Sequence, residues 1–444
     1  MRIDETMFKA VFPLSLIISL RFLGLFIVLP VLSVYALQLK GSNEFLVGIA
    51  IGGYAITQML LQIPFGILSD KIGRKKTIAI GLVIFIIGSL ISGFSDTIYM
   101  LILGRFLQGA GAIGAVGTAM ISDMVKEEVR AKAMAIMGGS IAMSFAVAMM
   151  LGSLIGGYYG VDKLFFLTAF LSALAIVILY TYVPDPPKIV HHYGADEAEL
   201  KHIFKDKDLM KMNITNLLQK GMMTLAFMVI PIVMTQEFGF EKKELWMVYL
   251  PAMLFGVLAM APSAIIGEKK HRSKEMLMIG VVFFSIGYLL MGYSHSAGWF
   301  ITGVVIFFIG FNIHEPLMQS MASKYAKIHQ KGAALGVFTS FGYAGTFIGG
   351  VFGGFFLQHY GMMQIAWIIF LVCIVWLFLI ASLKHPGINK NLYLEYGSID
   401  MKRIEHLAHV KGIVEWYKNE SEQVLIVKYD SKTTNKETIL AVLE

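Results

Sequence analysis

The chain is predicted to be an all-α polytopic membrane protein, with twelve transmembrane helices in two pseudo-symmetric six-helix halves and a small α+β domain at its C-terminal end. Three observations predict this. Of 444 residues, 57% are hydrophobic and 15% charged, with a mean hydropathy of +0.69, which leaves too little polar surface to cover a water-soluble globule. Apolar runs of about twenty residues recur along the chain, the length a helix needs to cross the hydrocarbon core. An offset of 198 residues lays Pro64, Asp70, Arg74 and Lys76 on Pro262, Glu268, Arg272 and Lys274, so the chain repeats itself once. In the second copy Ala264 stands where Gly66 does, and His271 where Gly73 does.

The spans run over 11–38, 45–69, 77–95, 97–122, 131–158, 162–183, 212–236, 244–267, 275–293, 297–323, 332–358 and 362–383. The connections after spans 2, 4, 6, 8 and 10 hold nineteen Lys and Arg, against four (Lys40, Lys163, Lys242, Lys243) in the alternate connections. By the positive-inside rule the first set and both termini are cytoplasmic. The same rule accounts for the net charge of +7, because the basic residues lie in short loops without interleaved aromatics, and a nucleic-acid partner is not expected. The single cysteine, Cys373, lies in an apolar run, so neither a disulfide framework nor a thiolate metal site is expected. The first apolar segment is too long for a signal-peptide core and is read as span 1.

Residues 1–183 form the first half and 212–388 the second. Between them, 184–211 reads as a cytoplasmic linker: Pro184-Asp185-Pro186-Pro187 stops span 6, and the charged run from Asp196 to Lys211 suits a helix along the membrane surface. His191-His192 is read as solvated linker, since two histidines with no further ligand nearby do not make a metal site. Over 389–444 the pattern becomes soluble in character. Asn391–Tyr396, Ile413–Tyr417 and Val424–Tyr429 alternate as strands, Asp400–His409 has helical spacing behind a cap at Asp400, and Lys436 opens an amphipathic run.

The loop after span 2 reads Gly66-Ile67-Leu68-Ser69-Asp70-Lys71-Ile72-Gly73-Arg74-Lys75-Lys76. It resembles the signature loop of the major facilitator superfamily, and the resemblance extends from about residue 8 to 385. The resemblance implies that Asp70 caps the N-terminal end of span 11 near Gly332 and Gly336, and that Arg74 pairs with Asp123 at the end of span 4. Both contacts make physical sense, because an anion favours a helix start and arginine offers a forked donor to a carboxylate. Together they would hold the cytoplasmic side shut, with Gly66, Asp70, Gly73, Arg74, Asp123, Gly332 and Gly336 as the gate. The β-α-β-β-α tail resembles a ferredoxin-like fold without its last strand, as in the YajR-type branch among the drug:proton antiporter-like members. It carries no cysteine, so a regulatory or dimerising module is expected rather than a copper carrier, with an open sheet edge.

Arg105-Phe-Leu-Gln108-Gly109 in span 4 resembles the family's Arg-x-x-Gln-Gly motif. Arg105 and Gln108 share a face and should point into the protein, because a lipid-facing arginine at mid-membrane costs about 2.5–3.5 kcal/mol or more. Its role is either a gate or proton-coupling cation, or a packing residue bonded to backbone carbonyls. Gly152-Ser153-Leu154-Ile155-Gly156-Gly157 resembles the family's antiporter motif, echoed by Gly349–Gly354, except that Ser153 replaces the proline that would kink the helix. The glycines also fit simple helix packing. Arg21, Lys220, Asn312, His314 and Glu315 lie at mid-membrane depth, where ionisable groups mark transport paths or proton relays. Glu315 and His314 are the groups that can take and release a proton, with Arg21 and Arg105 as coupling cations; the alternative is a static pair of Glu315 with Arg21 or Lys220. Tyr54, Thr57, Gln58 and Gln62 in span 2, Gln108, Lys220, Asn312 and Gln319 are the substrate-cavity candidates. Three cations against one acid argue against a cavity for organic cations and leave neutral or anionic substrates open.

No nucleotide loop, zinc motif or nucleophile elbow occurs, so neither an enzyme nor a cofactor or metal is expected. The expected function is a secondary transporter of a bacterial inner membrane, its membrane part monomeric, exporting a small molecule by proton antiport. A proton symporter and a transporter-derived sensor with an effector-binding or dimerising tail are the alternatives.

Overall fold

The computed structural model describes residues 11–125, 127–186, 203–326, 331–384, 389–399, 401–419, 423–430 and 433–443. The linker reading of His191-His192, the run Asp196–His202 and the cap at Asp400 lie outside them. Twelve helices are long and apolar enough to cross a membrane: α1 (Phe12–Ala36), α2 (Glu44–Ile72), α3 (Arg74–Gly93), α4 (Ile98–Met124), α5 (Lys132–Tyr159), α6 (Val161–Thr181), α7 (Lys207–Gln236), α8 (Lys242–Lys269), α9 (Ser273–Gly292), α10 (Ala297–Tyr325), α11 (Gly332–His359) and α12 (Met362–Ala381). All twelve expected spans are present.

Most boundaries shift by a few residues, and the α2–α3 turn and the start of α7 matter most. α2 continues through the charged residues to Ile72, and the α2–α3 turn is the single residue Gly73. Its φ of 99° and ψ of 149° suit glycine, which has no Cβ to clash. Its counterpart His271 turns at φ 55°, after α8 ends in a π-helical turn, Ile265–Lys269. Residues Lys207–Lys211, read as linker, are instead the first turn of α7. Asp206 caps it by accepting from the Asp208 and Leu209 N–H groups at 3.0 and 2.9 Å.

Among the described residues, two helices are interrupted in mid-span. α1 breaks at Ile27–Val28, ahead of Pro30, and α4 breaks at Gly111–Ile113. α5 runs unbroken, because Ser153 keeps its backbone N–H and turns its hydroxyl onto the Met149 carbonyl at 3.0 Å. The motif glycines pack helices together: Cβ atoms added at Gly152 and Gly349 would meet the carbonyl oxygens of Ile27 and Gly221.

The tail folds as β1 (Asn389–Glu395), a 3₁₀ segment α13 (Met401–His409), β2 (Ile413–Asn419), β3 (Val424–Asp430) and α14 (Lys436–Leu443). The sheet is antiparallel in the order β1-β3-β2, that of a ferredoxin-like fold without its last strand. Leu394, Leu407, Leu425, Val427, Ile439 and Leu443 form its core.

Candidate functional site

The α2–α3 turn brings four polar side chains together. Arg74 Nε donates to Asp123 Oδ2 at 2.8 Å, with the side chains 10% and 6% exposed. Its NH1 reaches Asp70 Oδ1 at 2.6 Å and also Ser69 Oγ, which itself donates to the Gly66 carbonyl at 2.6 Å. The expected Arg74–Asp123 pair is therefore present. The expected seat of Asp70 on α11 is not: a Cβ added at Gly332 or Gly336 would meet nothing within 4 Å. With that helix end withdrawn, Asp70, its side chain 59% exposed, pairs with the arginine one turn along its own chain.

The second half builds its version with the charges exchanged. Glu268, the counterpart of Asp70, accepts from Lys324 Nζ at 2.5 Å and from Ser320 Oγ at 2.7 Å, both on α10. Met321 occupies the position equivalent to Asp123, so the carboxylate sits on the loop and the cation on the helix. In the sequence, Glu268 is visible only through the 198-residue repeat that lays it on Asp70.

Inside the first half, Arg105 is fully buried and points into the protein, as expected. It donates to the Ala50 carbonyl at 3.1 Å and to Gln108 Oε1 at 2.6 Å, and its guanidinium lies 4.8 Å from the Tyr54 ring centre. Gln108 in turn donates to Ser89 Oγ at 2.8 Å. Arg21, also fully buried, donates to Gln58 Oε1 at 3.0 Å and packs 5.2 Å from the Phe22 and Phe85 ring centres. Gln58 Nε2 then donates to the Tyr343 hydroxyl on α11 at 2.5 Å, crossing between the halves. Thr57 turns back to the Tyr54 and Phe106 carbonyls, and Gln62 is buried one turn beyond Gln58. Tyr343 was missed, because nothing about a tyrosine in an apolar helix distinguishes it from packing.

In the second half Glu315 accepts from Lys220 Nζ at 2.5 Å and from Gln219 Nε2 at 3.2 Å. The two side chains of the ion pair are 29% and 28% exposed, and Lys220 Nζ lies 5.0 Å from the Phe311 ring centre. Glu315 thus pairs with Lys220, whereas Arg21 bonds Gln58. Gln319, one turn along, is exposed. His314 and Asn312 face elsewhere. His314 is fully buried between Phe284 and Trp376, with Nε2 2.7 Å from the Leu277 carbonyl of α9. Asn312 bonds its own helix at the Phe308 carbonyl, 2.9 Å away, against Gly256 of α8. The structure therefore separates His314 from Glu315, its neighbour in sequence.

Among the described residues, the halves meet from mid-membrane, where Gln58 bonds Tyr343, to the end carrying Lys242. Cβ atoms added at Gly48, Gly52 and Gly354 would run into backbone of the other half: Gly350, Phe347 and Glu44, respectively. The Phe45 N–H donates to Gln358 Oε1 at 3.3 Å, Lys242 Nζ to Gln38 Oε1 at 2.6 Å, and Gly157 packs on the Lys243 backbone. At the end carrying Gly73, a Cβ at Gly66, Gly138, Gly139, Gly332 or Gly336 would meet nothing within 4 Å. At these positions α2, α5 and α11 face open space.

Two six-helix halves closed at one end and parted at the other define a transporter fold, and the chain belongs to the Major Facilitator Superfamily, whose family model matches residues 14–350 and 222–392. It is a membrane transporter rather than an enzyme. The chain is 34% identical to the inner membrane transport protein YajR of Escherichia coli K12, over 96% of this chain and 95% of that protein. It is 24% identical to the class B tetracycline resistance protein of Escherichia coli, over 72% of this chain and 81% of that protein. The crystal structure of the nucleoside transporter NupG superposes with a TM-score of 0.67 at 15% identity, covering 84% of this chain and 98% of that one.

Proposed function

We propose that the protein is a proton-coupled secondary transporter that exports a small molecule across the inner membrane by alternating access, and that the conformation described here faces the cytoplasm. The observation that carries this reading is the one-sided contact of the halves, closed at the Lys242 end and parted at the Gly73 end. The parted end holds the basic connections, which the positive-inside rule assigns to the cytoplasm together with both termini. The 34% identity to an inner membrane transport protein supports the location.

Proton coupling is assigned to Glu315. Among the described mid-membrane residues it is the carboxylate that is both partly exposed and held by a cation from another helix. Protonation would dissolve the Lys220 pair and change what the cavity wall presents. A proton shifts the balance between the two access states only if the pair differs between them. Gln58, Gln62, Tyr54, Gln319 and Lys220 are proposed to line the substrate path. Symport is the second reading, favoured by the unbroken α5 at Ser153.

The test uses proteoliposomes holding a pH-sensitive dye, screened against organic cations, anions and sugars. Proton movement opposite to the substrate, lost in Glu315→Gln, supports antiport; movement in the same direction makes the protein a symporter. Unchanged pH dependence in Glu315→Gln would remove that residue from the relay.

A further inference from the structure

We infer that the C-terminal domain is a clamp on the basic-side end of α10, and that Lys428 is its contact point. A helix ends with four carbonyl oxygens that have no partner inside the helix, and that end carries a partial negative charge. At the end of α10, Lys428 of β3 supplies what is missing. Its Nζ lies 3.2 Å from the Ala326 carbonyl and 3.5 Å from the Lys324 carbonyl. The third acceptor is Glu415 of β2, at 3.3 Å. An ammonium has three N–H donors, and these three oxygens take all of them. The Lys428 side chain is 8% exposed, although charged lysines are almost never buried without partners. Two of its three acceptors belong to the membrane part, so the lysine is fully satisfied only while the domain is docked.

The grip falls on the residue that also makes the charged latch of the second half. While the Lys324 backbone carbonyl accepts from Lys428, the Lys324 side chain holds Glu268 at 2.5 Å beside Ser320. Nine residues back along the same helix, about 13 Å at 1.5 Å per residue, lies Glu315. The domain therefore holds one end of the helix that carries the proposed proton site.

The entry to the domain is fixed as well. Lys211 of α7 donates to the Ser382 carbonyl at 2.7 Å, Lys274 to the Leu383 carbonyl at 2.9 Å, and Tyr325, next to the clamped carbonyls, to the Lys384 carbonyl at 2.5 Å. Few residues then separate this anchor from β1 at Asn389. Clamped and anchored, the domain moves with the second half and stiffens its basic-side rim. Release of Lys428 frees the Lys324–Glu268 latch and loosens the end of α10. Docking and local stability are read without any transport assay, so failure of the clamp is distinguishable from failure of the proton-coupling reading.

The test is hydrogen exchange on the full-length protein in nanodiscs, with Lys428→Met and Glu415→Gln beside it. Lys428→Met is expected to speed exchange about tenfold in residues 320–326 and 265–273, as for loss of a tenfold local equilibrium factor, with α12 unchanged. Glu415→Gln should leave both segments at the wild-type level, because both carbonyl contacts remain. Wild-type rates at 320–326 in Lys428→Met would overturn the clamp. If Lys428→Met also loses protection in β3 itself, Lys428→Gln repeats the comparison with a neutral donor. Independently, spin labels at the exposed positions Glu405 and Glu275, in a Cys373→Ser background, should give one narrow distance in the otherwise unaltered protein. A broad distribution there would equally overturn docking.

Discussion

The Arg74 and Asp123 side chains are 10% and 6% exposed and bonded at 2.8 Å, whereas Asp70, on the same guanidinium, is 59% exposed. Removing one partner of a buried pair leaves a charge without compensation and costs about 3–5 kcal/mol; an exposed carboxylate on a surface pair contributes about 0–1 kcal/mol. Arg74→Ala or Asp123→Ala should therefore lower the melting temperature of the purified protein distinctly, while Asp70→Asn leaves it nearly unchanged. Asp70→Asn should act on the balance between states instead. In the conformation described here it loses only a solvent-exposed pair, and in the closed conformation it loses the proposed seat on the start of α11. Gly336→Cys, at a position that faces open space here, should then be labelled faster in an Asp70→Asn background than in the otherwise native chain. The buried Cys373 adds little background. Equal labelling rates would show that Asp70 makes no state-dependent contact.

Among helices, glycines make two kinds of contact that a sequence cannot tell apart. Gly345 lies against the Leu217 carbonyl within the second half, and Gly48 against the Gly350 carbonyl of the opposite half. Gly345→Val should impair folding in every state, and reduced yield and melting temperature would report it. Gly48→Val should leave the protein folded and block transport, because the contact it obstructs forms only when the Lys242 end is closed. If Gly48→Val lowers the melting temperature as much as Gly345→Val, the contact between halves is permanent. The elements themselves were legible: span length and the charge asymmetry of the loops mark all twelve helices, and strand alternation marks the tail. The Arg74–Asp123 pair was also legible, through its loop motif. What remained hidden depends on contacts between distant helices. His314 and Glu315 are adjacent in sequence, yet helical rotation turns one toward α9 and the other toward α7. Glu268 was visible only as a degenerate copy of Asp70, because its cation is on α10, where the first half has a carboxylate on α4.

For the whole molecule, the proposed alternating access requires that the closed Lys242 end open at modest cost. The polar bonds described between the halves are few: Lys242 to Gln38 and Phe45 to Gln358 at that end, and Gln58 to Tyr343 at mid-membrane. At about 0.5–1.5 kcal/mol net for each, they bias the equilibrium by a few kcal/mol, a range that a proton or a substrate with different affinities for the two states can reverse. Gln58 is the most consequential of the three, because its carbonyl oxygen also accepts from Arg21, whose Nε and NH1 have no partner among the described residues. Tyr343→Phe removes the bond between halves but leaves the ring and the Arg21–Gln58 bond in place. Loss of about 1 kcal/mol should move the equilibrium about fivefold toward opening of the Lys242 end. Spin labels on the two halves at that end would show it as growth of the longer-distance population. Gln58→Leu should shift it further, since a buried guanidinium then loses its acceptor as well. Equal distributions in the native chain and Tyr343→Phe would mean that backbone packing of α2 on α11 holds the closed end without help from this bond.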